Sequence, residues 1–178
     1  MKLVATFALA LLLSLVISFK ASHADAQLVP FYSSGSNAVY DTSTGYTSGP
    51  GKASLMGKVF GSGQAVPVAD LGNGKFAWLA LGYSFLAANG DQLFMVGGGT
   101  VQYIPLTDGW YYAEWSGEFT ATGGTGRFSD ATTPVPLSVI AINDPFQLDE
   151  NGQPLEDAVW TYSWEVQGQI DLGHKKDR

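Results

Sequence analysis

Glu114 and Glu118 are the carboxylates whose spacing first suggests acid or base chemistry, because both fall on one face of the alternating stretch at residues 110–122. On an extended strand they stand roughly 13–14 Å apart, at ~3.4 Å per residue. Even inverting glycosidases hold their two carboxyls only about 6.5–9.5 Å apart, so a direct acid and base pair on one bond is excluded. If these residues line a lumen, one of them serves as a lone general acid with a raised pKa, with Tyr112 on the same face and Tyr162 elsewhere as hydroxyl partners. The opposite face, Tyr111, Trp115 and Phe119, offers a natural core side that turns the glutamates to solvent. Parity alone does not choose between the two, since one bulge reverses the faces beyond it. Glutamates inward favour an enzyme; aromatics inward favour a filled or apolar-binding barrel.

Three other sets of residues carry chemical meaning. Trp160, Tyr162 and Trp164 alternate along residues 159–172, and read either as barrel filling or as the wall of a site for a flat or hydrophobic molecule, with the tyrosine hydroxyl orienting it. Arg127 either fixes a ligand carboxylate through two parallel hydrogen bonds or pairs with Asp130 or Asp91 at a rim; the rim is the expected place. Gly123, Gly124 and Gly126 precede Phe128 in a run that lacks the lysine and the helix start of a phosphate loop. They are read as a structural turn that needs positive φ, pinned by a half-buried Phe128. Asn89-Gly90 is a second structural turn, the strongest signal here for a type I′ hairpin.

Several reaction classes are excluded. His23 lies in the leader and His174 in the charged tail, which leaves no Ser-His-Asp triad. With no cysteine, neither a zinc site nor a disulfide framework is expected. The acidic run at 149–157 lacks the alternating spacing of a calcium loop. No metal and no cofactor is expected.

The totals place these residues in an exported chain. Lys2, an apolar run from Leu3 to Phe19, and Ala24-Asp-Ala26 are the three regions of a signal peptide cut after Ala26. A retained anchor is the rival reading, since the run approaches bilayer length. The expected location is secreted or periplasmic, with no membrane insertion after cleavage. From Gln27 onward fifteen carboxylates face seven lysines and arginines, and no basic stripe exists to displace counterions from a phosphate backbone. Nucleic acid is therefore not an expected partner.

The elements that must position the site are strands. Residues 27–50 read as an irregular arm with one edge strand near 38–41, and 51–173 as the barrel domain, followed by a charged tail at 174–178. Strands are expected at 54–60 and 64–70, at 76–88 with both faces apolar, at 92–103 with a bulge or corner at Gly97-Gly-Gly99, and then at 110–122, 137–142 and 159–172. Residues 143–157 form a polar, acidic loop long enough to lie over a barrel mouth. No window keeps the spacing of an amphipathic helix. About eight strands with tight turns close best into a barrel, which removes the sheet edges.

Three patches in this order, Gly51-Lys-Ala-Ser-Leu-Met-Gly-Lys-Val-Phe60, Ala87-Ala-Asn-Gly-Asp-Gln-Leu93 and Gly123-Gly-Thr-Gly-Arg-Phe-Ser-Asp-Ala-Thr132, resemble the allene oxide cyclase barrel-like superfamily, in particular its small secreted bacterial members. The third patch is also similar to a glycine-rich segment of plant dirigent proteins. The resemblance implies an all-β, antiparallel eight-stranded barrel with an apolar cavity, often oligomeric; it carries no activity by itself. Thr133-Pro134 stands where such proteins usually place a glycine. The expected function is an exported barrel that binds a small hydrophobic molecule or acts as a scaffold, a homodimer or trimer, without a catalytic set. The alternatives are a cyclase-like or dirigent-like enzyme and a structural envelope or matrix component.

Overall fold

Segments that alternate apolar and polar residues bury their apolar faces together only as a sheet, and this sheet closes. The computed structural model describes residues 28–155 and 158–173. The expected signal segment and its cleavage site, residues 156–157 and the charged tail lie outside those residues. The strands are β1 (Leu28–Asp41), β2 (Tyr46–Ala53), β3 (Gly57–Gly72), β4 (Lys75–Ala87), β5 (Gln92–Pro105), β6 (Trp110–Gly124), β7 (Leu137–Asn143), β8 (Phe146–Gln147) and β9 (Val159–Asp171). Each of β1 to β6 pairs antiparallel with its successor, β7 pairs with β9, and β9 returns to β1 along twelve registered pairs. The result is the closed eight-stranded antiparallel barrel, with β8 as a two-residue addition to β6. Among the described residues no helix is long and apolar enough to cross a membrane.

Three local expectations need correction. The stretch read as an irregular arm is β1 and most of β2, and β1 lies between β9 and β2 rather than at an edge. Its Ser, Thr, Gly and Asn content hid a strand whose inward residues, Phe31, Ser33, Ala38 and Tyr40, are buried. The two strands expected at 54–60 and 64–70 are one, β3, whose register slips at three places instead of breaking at Gly61-Ser-Gly63. The Gly97-Gly-Gly99 run is neither bulge nor corner on its β6 side, where the ladder runs without a slip from Pro105 to Met95. Its glycines serve close approach: a Cβ on Gly97 would strike the Glu118 carbonyl, and one on Gly99 the Ser116 carbonyl.

The turns also redistribute. At the β4–β5 hairpin only Gly90 has positive φ, 89°, and its N–H donates to the Ala87 carbonyl at 3.0 Å. A left-handed glycine closes this turn, not the type I′ pair expected of Asn89-Gly90. Two left-handed residues in succession occur instead at Asn73-Gly74 and Asp108-Gly109, between β3 and β4 and between β5 and β6.

Both ends of the barrel are stoppered. The turns after β2, β4 and β6 gather at one end, where residues 126–128 form a 3-10 turn and Phe128 is fully buried rather than half-buried. Leu93, Ala131, Leu137 and Ile170 are equally inaccessible there. At the other end the chain after β7 folds back through β8, and the Phe146 ring stacks on Trp160 with centroids 3.8 Å apart.

Candidate functional site

The face of β6 that points inward decides what the lumen can do. Its ladder with β5 is unbroken from Tyr111 to Ala121, so the period of two survives intact along the strand. Ala113 and Phe119 are buried and Trp115 is half-buried, while Glu114 and Glu118 are exposed. Both glutamates therefore stand on the outer wall, and the lumen that a lone general acid would need does not contain them. Tyr112 shares that outer face; desolvation, and then the neighbouring Glu114 charge, raises its hydroxyl pKa.

Trp160, Tyr162 and Trp164 do point inward and are buried. Tyr162 and Trp164 meet Tyr40, Trp78, Tyr83 and Phe85 around a luminal cavity of about 50 Å³. The rings interlock: Trp164 stacks on Phe85 at 5.1 Å, Trp78 meets Trp115 edge-on at 5.8 Å, and Tyr40 lies 5.7 Å from Trp160. A space of that size admits ordered water, which needs ~10–15 Å³ of such volume. It is far below the roughly 300–1,000 Å³ of small-molecule pockets.

The polar groups of the lumen are few. Thr47 Oγ1 and the Tyr162 hydroxyl share a short hydrogen bond, and the Tyr83 hydroxyl lies 3.5 Å from that of Tyr162. Trp115 Nε1 donates to Asn143 Oδ1 at 2.5 Å, and the Trp78 indole N–H is buried with no partner among the described residues. Desolvation raises the pKa of Tyr83 and Tyr162 and pushes Tyr40 up to about 12, so the hydroxyls stay neutral donors at ordinary pH. Sequence reasoning missed Tyr83, Trp78, Thr47 and Asn143. Gly82, with φ 59°, inserts a bulge between Ala80 and Tyr83, which puts Trp78, Tyr83 and Phe85 on one inner face although simple alternation separates them. Only the glycine inside that apolar run signalled it.

Arg127 is exposed, and its guanidinium lies over the Phe128 ring, 5.2 Å from the centroid. The expected rim pairing gives way to this contact. Asp91 accepts from Asn89 Nδ2 at 3.1 Å and Asp130 from Ser129 Oγ at 3.2 Å instead. Gly123, Gly124 and Gly126 form the turn that seats Phe128; Gly123 and Gly126 have φ of 108° and 58°, and a Cβ on Gly124 would meet the Gln92 carbonyl.

The outer wall carries what the lumen lacks. On β3, β4 and β5, Phe60, Leu86, Phe94 and Val96 point outward and are exposed, as are Leu79 and Leu81. Phe60 and Leu86 are direct cross-strand partners, and Phe94 lies opposite Ser84, diagonal to Leu86. A second outer feature is a groove of about 820 Å³ across β3, β2, β1, β9 and β7. No protein-family model matches the chain, and no curated protein matches it either.

Proposed function

We propose that this is an exported, non-catalytic barrel of the allene oxide cyclase-like kind that acts as a scaffold, assembling with copies of itself as a dimer or trimer through the outer face of β3, β4 and β5. The observation that carries this reading is the contiguous exposed apolar patch built by Phe60, Leu86, Phe94 and Val96. Monomeric proteins rarely leave such patches open to water, and polar rims around them mark association surfaces. Here Lys58, two residues from Phe60 on the same face, and Glu118, opposite Gly98, stand at the border. The occupant is a second copy because the whole chain carries a formal charge of −7: an uncharged patch is where two acidic molecules meet with least repulsion.

Sedimentation velocity of the processed protein tests this. An oligomer that becomes monomeric in the Leu86→Lys/Phe94→Lys variant, with an unchanged circular dichroism spectrum, is expected. A wild-type protein that stays monomeric at every concentration overturns it.

A second reading, a small hydrophobic molecule or a reactive intermediate held in the lumen, draws support from the aromatic walls, the Tyr83 and Tyr162 hydroxyls and the unpartnered Trp78 N–H. It requires the cavity to enlarge severalfold. Native mass spectrometry after mild denaturation would then release a stoichiometric apolar molecule.

A further inference from the structure

The groove on the outer wall is built from three successive cross-strand rows. Lys58, Lys52, Ser34, Glu165 and Ile140 form one row, each registered opposite the next. The next row, Val59, Gly51, Gly35, Trp164 and Ala141, turns its side chains inward and supplies the floor. Beyond it stand Pro50, the bulge at Ser36 and Asn37, Ser163 and Ile142. Two glycines side by side leave the floor bare. A Cβ on Gly35 would lie 2.5 Å from Trp164 Nε1, and one on Gly51 would lie 2.7 Å from Trp164 Cζ2, so the indole fills the space beneath both strands and neither position admits a side chain. The β1 register slip against β9 between Gly35 and Ala38, with Asn37 at φ 56°, bends the strand at the same place.

Charge is distributed along this groove with a direction. Between Gln27 and His174 the chain has four basic residues, Lys52, Lys58, Lys75 and Arg127, and two of them face each other here across β2 and β3. Like charges directly opposite destabilise a sheet, so the pair gains from an anion placed between them. Glu165 lies two strands from Lys52, about 10 Å away at ~4.8 Å per strand. One strand further on, Ile140 and Ile142 are both about half exposed, at 49% and 51%. The groove is cationic at the β3 end and apolar at the β7 end, with a carboxylate that repels negative charge near the apolar end.

We propose that the groove binds a single-chain amphiphile with one anionic head group. The head sits between Lys52 and Lys58, and the alkyl chain crosses the glycine floor to Ile140 and Ile142, about 14 Å from Lys52 over three strand spacings. The flanking rows are two residues apart, about 7 Å along the strand, which is the width of one chain and not of a two-chain lipid. The volume suits such an occupant, whereas the luminal cavity is about 50 Å³. Glu165 sets the polarity, because a second negative charge at the tail end would lie beside it. This site meets the border of the assembly patch at Lys58 but extends away from it across β2, β1, β9 and β7, and it does not rest on the scaffold reading.

The test is isothermal titration calorimetry of the processed protein with dodecanoate below its micelle concentration, with dodecanedioate, and with vesicles of a two-chain anionic phospholipid. Saturable binding of dodecanoate is expected, weakened at least tenfold in Lys52→Gln/Lys58→Gln and at least tenfold for dodecanedioate, with no binding to the vesicles. Both lysines are exposed, and a circular dichroism spectrum matching the wild type confirms that the variant folds. Absence of dodecanoate binding, or binding that the lysine variant leaves unchanged, overturns the proposal. Equal affinity for the two acids overturns the polarity assigned to Glu165, and vesicle binding that the lysine variant abolishes makes the site a membrane contact instead of a single-chain site.

Discussion

Phe128 and Phe146 close opposite ends of one lumen, yet they sit in unlike surroundings. Phe128 is held by a three-residue turn, at an end where Leu93, Leu137 and Ile170 are also fully buried and Phe85 lies opposite Leu93. Phe146 arrives on a long loop and packs among rings, stacked on Trp160 and edge-on to Tyr103 at 5.5 Å. Among the described residues the first end has no buried ionisable group; the second contains Tyr40 and Tyr103, whose hydroxyls are raised in pKa by burial. The difference teaches that a barrel can be sealed in two ways. A turn can be built around one side chain, or a loop can be laid across a cluster of flat ones.

Deleting each stopper gives the largest expected effects and tests that contrast most directly. Phe128→Ala should destabilise the protein by about 3–5 kcal/mol, because a backbone fixed by glycine geometry cannot collapse into the space left behind. Phe146→Ala should cost about 2–3 kcal/mol, since the neighbouring Trp160, Tyr103 and Tyr111 can shift into the gap. Urea unfolding midpoints of the two variants measure both values. Equal costs would mean that the long loop is as rigid as the short turn, and the contrast would be lost.

Of the two ends, alkaline pH should act on the one closed by Phe146. Tyr40 has its pKa pushed up to about 12, by desolvation first and the charge of Asp41 second, against about 10 in an unfolded chain. The folded state therefore keeps a proton that the unfolded state releases. Stability from this group is fully present below pH about 10 and is lost as pH rises toward 12, about 2–3 kcal/mol in all. Tyr103 shifts in the same direction, as do Tyr83 and Tyr162 in the middle of the lumen, and each adds to the loss. Urea midpoints measured from pH about 9 to about 12 should fall for the wild type and for Phe128→Ala in parallel, and less steeply for Tyr40→Phe. A Tyr40→Phe slope equal to the wild type would remove the tyrosine from the account.

The two ends were also unequally legible from the sequence. The glycine run before Phe128 announced a sharp turn, because three glycines within four residues have few other uses, and the barrel class followed from period-two alternation with no helical window. The β6 stretch kept its alternation, so its two faces were read correctly as sets, though which set faced inward depended on pairings that sequence does not display. What failed was local. β1 was obscured because Ser33, Ser34, Gly35 and Asn37 are poor strand formers that the β9 and β2 ladders hold extended. The lumen was misassembled because the Gly82 bulge moves Tyr83 and Phe85 to the inner face shared with Trp78. Phe146, inside a stretch read as a polar loop, gave no signal that it would stack on Trp160.

Between the two stoppers lies the hydroxyl group of Tyr162, and its removal sharpens the comparison at the smallest scale. Thr47 is 3% exposed and its Oγ1 is bonded to that hydroxyl; Tyr83 lies beyond at 3.5 Å. Tyr162→Phe leaves the ring in place and strands the threonine hydroxyl, a loss of about 1–2 kcal/mol for a buried group left without its partner. The Tyr162→Phe/Thr47→Val double variant removes both polar atoms and should recover most of that loss, because no buried hydroxyl of the pair then remains unpaired. If the double variant is no more stable than the single one, the threonine hydroxyl was satisfied by water in the 50 Å³ cavity all along. The middle of the barrel would then be a hydrated seam between two dry stoppers.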